Sequence, residues 1–125
     1  MGEKSVAVML KNGGLLNNTL HDINVGKAGV GIYLADATNV ISPALRTINL
    51  AEDATGIYGN NGGNIQLDGN ILSAADGAKG IASKNSALSN IENAGNIDLS
   101  GKASVGMYGE GIDTIKNNSG KTIKI

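Results

Sequence analysis

The amino-acid sequence predicts an all-β fold: a right-handed parallel β-helix, a single-stranded solenoid of about five coils of about 25 residues each. Three observations carry this expectation. One short pattern recurs five times and fills the whole chain, so residues 1–125 form a single repeat domain. Glycine, at 19 positions, returns inside every copy, although a glycine in a helix interior costs about 1 kcal/mol. The apolar residues are largely β-branched and alternate with polar ones, a period of two that belongs to strands. No copy offers ten residues free of Gly, Asn and Ser clusters, which removes the helical solenoids of similar period.

The phrases Gly31-Ile32-Tyr33, Gly56-Ile57-Tyr58 and Gly106-Met107-Tyr108 mark the first strand of the unit, and Gly80-Ile81-Ala82 and Ala7-Val8-Met9 fit the same slot. The coils are therefore anchored at Ala7, Gly31, Gly56, Gly80 and Gly106, spaced by 24, 25, 24 and 26 residues. Five places before the anchor the residues are small: Gly2, Gly26, Ala51, Ala75 and Gly101. The next column, Glu3, Lys27, Glu52, Asp76 and Lys102, is charged throughout and must face solvent. Ser5, Gly29, Ala54, Ala78 and Ser104 make a second small column. Five places after the anchor stand Asn12, Asp36, Asn61, Asn85 and Gly111, the residue types that enter the left-handed backbone region at low cost, so this column reads as a corner.

A second strand follows a stretch that varies between copies. Ile23-Asn24-Val25, Ile48-Asn49-Leu50, Ile97-Asp98-Leu99 and Ile123-Lys124-Ile125 alternate apolar and polar residues, and a polar column (Asp22, Thr47, Asn70, Asn96, Thr122) precedes them. In the third copy both Ile65-Gln66-Leu67 and Ile71-Leu72-Ser73 qualify. The second is preferred, because Ile65 and Ile71 then match Ile91 and Ile97, each pair ending in Gly-Asn-Ile.

The expected core is two columns of stacked side chains: Val8, Ile32, Ile57, Ile81 and Met107 in one, Ile23, Ile48, Ile71, Ile97 and Ile123 in the other. In a narrow coil each position packs on its equivalent above and below. Ile on Ile fills such a column evenly, whereas a Trp would force its neighbours apart, and Phe and Trp are absent. Right-handed winding is expected because parallel crossovers overwhelmingly take that hand. Tyr33 and Tyr58 follow the core Ile, so strict alternation turns them outward; a bulge at the preceding glycine would turn them inward, and both placements stand at this point.

Composition excludes several functions. With 41% hydrophobic and 17% charged residues, the chain is too apolar and too weakly charged for intrinsic disorder. Without cysteine it holds no disulfide and no thiolate metal site. A net charge of −1 provides no basic field for nucleic acid. Apolar runs last only a few residues, so direct membrane insertion of this segment is not expected.

The phrase Gly101-Lys102-Ala103-Ser104-Val105-Gly106-Met107-Tyr108-Gly109, preceded by Ile97-Asp98-Leu99, resembles the passenger-domain repeats of autotransporter (type V secretion) adhesins of the fusobacterial type. Gly26-Lys27-Ala28-Gly29-Val30-Gly31-Ile32-Tyr33 and Ala54-Thr55-Gly56-Ile57-Tyr58-Gly59 repeat it, and the likeness runs through all five copies. The resemblance implies a secreted β-helix displayed on the outer face of a Gram-negative cell, with a role in adhesion and virulence. It implies anchoring in the outer membrane through a barrel that this sequence does not contain, and a leader is likewise absent, as expected of a segment of a longer passenger. The lack of cysteine agrees with passage across the envelope unfolded. The partners it implies are a host-cell surface protein or glycan, or another bacterium.

Right-handed β-helices also include polysaccharide-degrading enzymes, whose chemistry needs paired carboxylates about 5–10 Å apart. Glu52 over Asp76 in the neighbouring coil is the best candidate pair, and a solvated turn explains both. The sole arginine, Arg46, has no acidic cluster in register, and the sole histidine, His21, reads as a surface residue. Gly62-Gly63-Asn64-Ile65-Gln66-Leu67-Asp68 lacks the third glycine and the tandem copies of a calcium-binding repeat. Gly29-Val30-Gly31 continues into no helix and is not a dinucleotide loop. The threonines fall in different columns, so no ice-binding ladder exists.

No catalytic residue, cofactor or metal is therefore expected, and the chain is read as a non-enzymatic adhesin segment. A purely structural stalk is the alternative, and a fragment of a polysaccharide-degrading enzyme is the more distant one. Tyr33, Tyr58 and Tyr108 are the candidate partner-binding residues, although recurrence in most coils favours a packing role. Segments 38–45, 59–69, 84–90 and 109–114 differ most between copies and are expected to be loops that carry specificity. Exposed strand edges at open coil ends would favour end-to-end self-stacking.

Overall fold

In-register stacking of the repeats organises the computed structural model, which describes residues 3–11, 22–36, 40–42, 47–61, 65–67, 69–93, 95–117, 120 and 122–125. The strands in chain order are β1 (Val6–Lys11), β2 (Ile23–Val25), β3 (Val30–Ala35), β4 (Val40–Ser42), β5 (Thr47–Leu50), β6 (Thr55–Asn60), β7 (Ile65–Leu67), β8 (Asn70–Ser73), β9 (Lys79–Asn93), β10 (Asn96–Leu99), β11 (Val105–Asn117) and β12 (Thr122–Lys124). All pairings are parallel. The protein is an all-β parallel solenoid of stacked coils, with no helix among the described residues.

The first sheet carries β1, β3, β6, β9 and β11 one above another, with Val8 over Ile32, Ile32 over Ile57, Ile57 over Ile81 and Ile81 over Met107. The second stacks β2, β5, β8, β10 and β12 through Ile23, Ile48, Ile71, Ile97 and Ile123. Ile71 thus takes the second-strand position in the third copy. Ile65 is also in a strand, but on another line: β4 pairs with β7, which pairs with the far end of β9, which pairs with β11. Both candidates looked like strands because both are.

This third line runs through the segments expected to be loops. Residues 84–90 lie inside the continuous β9 and 109–114 inside β11, while 59–60, 65–67 and 40–42 are also extended. Residues 38–39, 43–45, 62–64 and 68 lie outside the described residues, as do Asn12, His21 and Arg46. The register shows what varies instead. Ile112 pairs with Ser86 and Thr114 with Asn90, so β9 holds extra residues over β11 at one irregular point.

The interior holds both isoleucine columns. Ile32, Ile57, Ile81, Ile48, Ile71 and Ile97 are fully buried and Ile23 nearly so, with Val8, Met107 and Ile123 packed partly buried against them. Val25, Leu34, Leu50, Leu99, Ala54 and Ala78 complete the cluster. The anchor glycines exist because of this packing. A Cβ on Gly31 would stand 2.6 Å from the Gly56 carbonyl oxygen and 3.3 Å from the Ile48 side chain. On Gly56 it would stand 2.6 Å from the Gly80 carbonyl and 3.0 Å from Ile71; on Gly80 it would meet the Gly106 carbonyl and Ile97. One column is empty so that the isoleucines of the opposite sheet can fill the space.

Two columns turn the chain. Asp36, Asn61 and Gly111 have φ of 57°, 61° and 63°, the left-handed corner expected from residue type, whereas Asn85 continues within β9. The second corner was hidden. Lys4, Ala28, Asp53, Gly77 and Ala103 stand three places before each anchor and have φ of 52°, 55°, 56°, 70° and 55°. The charged residue before each is exposed, and Gly29 and Ala54 donate back to Gly26 and Ala51 at 3.0 and 3.2 Å, closing four-residue turns with positive φ at the third place. The amides of Lys4, Ala28, Asp53 and Gly77 donate to the next coil's charged-column carbonyls at 2.8–2.9 Å. Left-handed backbone costs a non-glycine residue roughly 1–2 kcal/mol, and continued inter-coil pairing offsets it.

Where polar side chains enter the interior they are mostly partnered. Ser73 replaces the Val or Leu of its column; its hydroxyl donates to the Leu50 carbonyl at 2.7 Å and accepts from the Ala75 amide at 3.0 Å. The buried Asn93 amide donates to Asn117 Oδ1 at 2.8 Å and to the Thr122 carbonyl at 3.4 Å, and its oxygen accepts from the Gly95 amide at 3.1 Å. Ser83 is the exception among the described residues: its buried hydroxyl has no partner.

Two measurements test this packing. Gly80→Ala should lower unfolding stability by about 1–3 kcal/mol, because its Cβ meets backbone that cannot rotate away. Ser83→Ala should leave stability unchanged or raise it by roughly 1 kcal/mol, since an unpaired buried hydroxyl is removed. Denaturant titration of both variants reads the two signs; a neutral Gly80→Ala would contradict the close approach of the two sheets.

Candidate binding face

Alternation along the first sheet decides the tyrosines. In β3 Ile32 and Leu34 are buried and Tyr33 between them is half-exposed; Tyr58 in β6 behaves likewise, and Tyr108 in β11 is 43% exposed. Alternation breaks at the anchor glycines while the register holds: Val30 pairs with Thr55 and Ile32 with Ile57 at one offset, yet Gly31 and Ile32 are both buried and a Cβ on Gly31 would face Val25 and Ile48. This irregularity lies before the Ile and leaves the tyrosines outside.

The outward column reads Met9, Tyr33, Tyr58, Ala82, Tyr108. Tyr33 and Tyr58 stack with centroids 5.4 Å apart and planes inclined by 27°. This is slightly more than the strand spacing of about 4.8 Å, as expected for offset rings carried by adjacent rungs. Ala82 breaks the column. It lies 4% exposed between the Tyr58 and Tyr108 rungs and floors a cleft of about 460 Å³. Lys79 and Lys84 come from the same rung as Ala82 and line that cleft with both tyrosines.

Polar groups at the rim are engaged. Lys79 Nζ donates to the Gly77 carbonyl at 3.1 Å. The Tyr108 hydroxyl donates to Glu110 Oε2 at 2.9 Å, and this hydrogen bond, with the carboxylate charge and slight desolvation, holds the phenol above the ordinary tyrosine range. Lys84 stands in register with Glu110.

The carboxylates considered for hydrolysis have other partners. Glu52 lies 3.5 Å from Lys27 Nζ, both half-exposed, and Asp76 Oδ1 accepts from the Lys102 amide at 2.8 Å. Asp53 Oδ1 occupies the space a Gly77 Cβ would need. No group of three metal-ligating side chains occurs among the described residues. A second concavity, about 400 Å³, lies on the outer face of the second sheet beside Leu72 and Asp98.

Lys79, Ala82, Lys84 and Glu110 were not singled out from sequence. A signal existed: Gly80-Ile81-Ala82 is the one Gly-Ile copy without Tyr, and a missing member of an outward column is a gap in a surface. Comparison with protein-family models, with curated proteins and with solved structures finds no match for this chain.

The phenol–carboxylate pair gives a pH test. Below its raised pKa the Tyr108 hydroxyl is protonated and donates to Glu110; ionisation breaks that bond and sets two negative charges together. In an absorbance titration one phenol should therefore deprotonate above the usual value of about 10, and Glu110→Gln should bring it down. An unchanged titration in that variant would dissolve the pair.

Proposed function

We propose that the protein is a segment of a non-enzymatic surface adhesin, a right-handed β-helix of about five coils that presents binding groups along a rod. The observation that carries this reading is the outward aromatic column on a rigid parallel scaffold. Tyr33, Tyr58 and Tyr108 project from a sheet whose interior is closed by isoleucine, so they contribute exposed ring surface rather than core bulk. The likeness of residues 101–109 to autotransporter passenger repeats supports the same reading and suggests the outer surface of a Gram-negative cell, with a host-cell protein or glycan, or another bacterium, as partner. Rungs that repeat along one axis let weak contacts accumulate on one multivalent ligand. End-to-end stacking of copies through open sheet edges belongs to the same proposal.

A stalk is the second reading, and one observation favours it. The Tyr33–Tyr58 stack satisfies two of the three rings within the molecule. The two readings separate in an attachment assay with host cells and partner bacteria. An adhesive segment loses attachment at least about tenfold in Tyr58→Ala and Tyr108→Ala, with melting temperature little changed. A stalk shows no attachment in the wild type, and its tyrosine variants lose thermal stability instead.

A further inference from the structure

We propose that the cleft over Ala82 is a subsite for one acidic sugar ring, a pyranose bearing a carboxylate, held between Tyr58 and Tyr108. The proposal deepens the display reading by naming what the face takes, and it rests on dimensions first. Tyr58 and Tyr108 lie on rungs separated by the Ala82 rung, so their backbones stand roughly 9–10 Å apart. A ring touching both walls at about 3.5–4.0 Å on each face needs about 7–8 Å. The opening therefore suits one ring and is too narrow for two.

Chemistry selects the ring. A pyranose presents C–H groups on both faces and polar groups at its rim, which matches two aromatic walls and a charged border. The Ala82 rung supplies ammonium groups on either side of the floor, Lys79 and Lys84. Glu110, already accepting from Tyr108, stands in register beside Lys84, so sugar hydroxyls can donate to it at that border. A carboxylate on the ring is drawn toward Lys79, at the border away from Glu110, which fixes one orientation. An aromatic side chain of a peptide would satisfy the walls but bring no anion to the lysines. A nucleotide strand would need a basic surface beyond these two residues, and the net charge of −1 provides none. The acidic sugar is the occupant that uses every group present.

The column itself offers the decisive variant. Ala82→Tyr places a third ring in the gap, in register with Tyr58 and Tyr108, and extends the observed tyrosine stack. The full chain is titrated by NMR with trigalacturonate and a hyaluronan tetrasaccharide, beside neutral maltotriose and a short phenylalanine-containing peptide. The expected result is saturable binding of at least one acidic probe, weaker by about tenfold or more for maltotriose and reduced by added salt. Ala82→Tyr and Tyr108→Ala should each lose at least about tenfold in affinity, and Lys79→Gln with Lys84→Gln should abolish the preference for the acidic probe. Circular dichroism melting confirms that each variant folds; if Ala82→Tyr does not, Tyr108→Ala and the double lysine variant decide.

Binding of neither acidic probe, equal binding of maltotriose, stronger binding of the peptide, or undiminished binding in the folded variants overturns the proposal. The attachment assay is separate. Attachment that survives Ala82→Tyr removes this subsite and leaves the display reading standing. Uronate binding without attachment to any cell keeps the subsite and removes the adhesin.

Discussion

Every column of this protein is constrained by stacking at a single translation. Parallel, in-register coils place each residue about 4.8 Å from its equivalent above and below, so a side chain must suit its own neighbours in the column before anything else. That constraint explains the isoleucine columns, which tile without gaps, and the empty glycine column facing them. Gly31, Gly56 and Gly80 leave room for Ile48, Ile71 and Ile97 as well as for the carbonyl of the next coil. A side chain added in the glycine column would separate the two sheets, and the loss would pass to neighbouring coils that share the contact.

The same constraint tolerates substitutions that a globular core would resist, provided that hydrogen bonding is completed locally. Ser73 stands among Val and Leu because the Leu50 carbonyl and the Ala75 amide take up both functions of its hydroxyl. Asn93 is buried because it bridges Asn117, Thr122 and Gly95. Elsewhere side-chain amides climb the outside from coil to coil, as between Asn49 and Asn24 or Asn96 and Asn70, at 2.9 and 3.4 Å. Asparagine is abundant because it can donate to its equivalent below and accept from its equivalent above.

Function enters where a column is interrupted. A complete tyrosine column would bury most ring faces against one another, as Tyr33 and Tyr58 do. Ala82 interrupts that pattern and leaves a cleft between the Tyr58 and Tyr108 rungs, lined by both tyrosines and by Lys79 and Lys84. The cleft is thus a property of a departure from the repeat's own rule between two tyrosine rungs. The scaffold supplies rigidity, and the interruption supplies a shape.

Sequence alone determined the strand character, the repeat length and the two isoleucine columns, because each follows from residue type at a fixed period. It also determined the Asp36, Asn61 and Gly111 corner, where the residues carry their own conformational preference. Tertiary structure decided the rest. The corner at Lys4, Ala28, Asp53, Gly77 and Ala103 was not legible, since Lys and Ala adopt positive φ only when inter-coil hydrogen bonds hold them there. The third line of strands looked like loops because its residues vary between copies while its backbone pairs all the same. The outward turn of the tyrosines depended on where alternation breaks, at the adjoining buried glycine and isoleucine, and the cleft depended on which residues became neighbours one and two coils apart. Those are facts about translation between coils, and no single coil of sequence contains them.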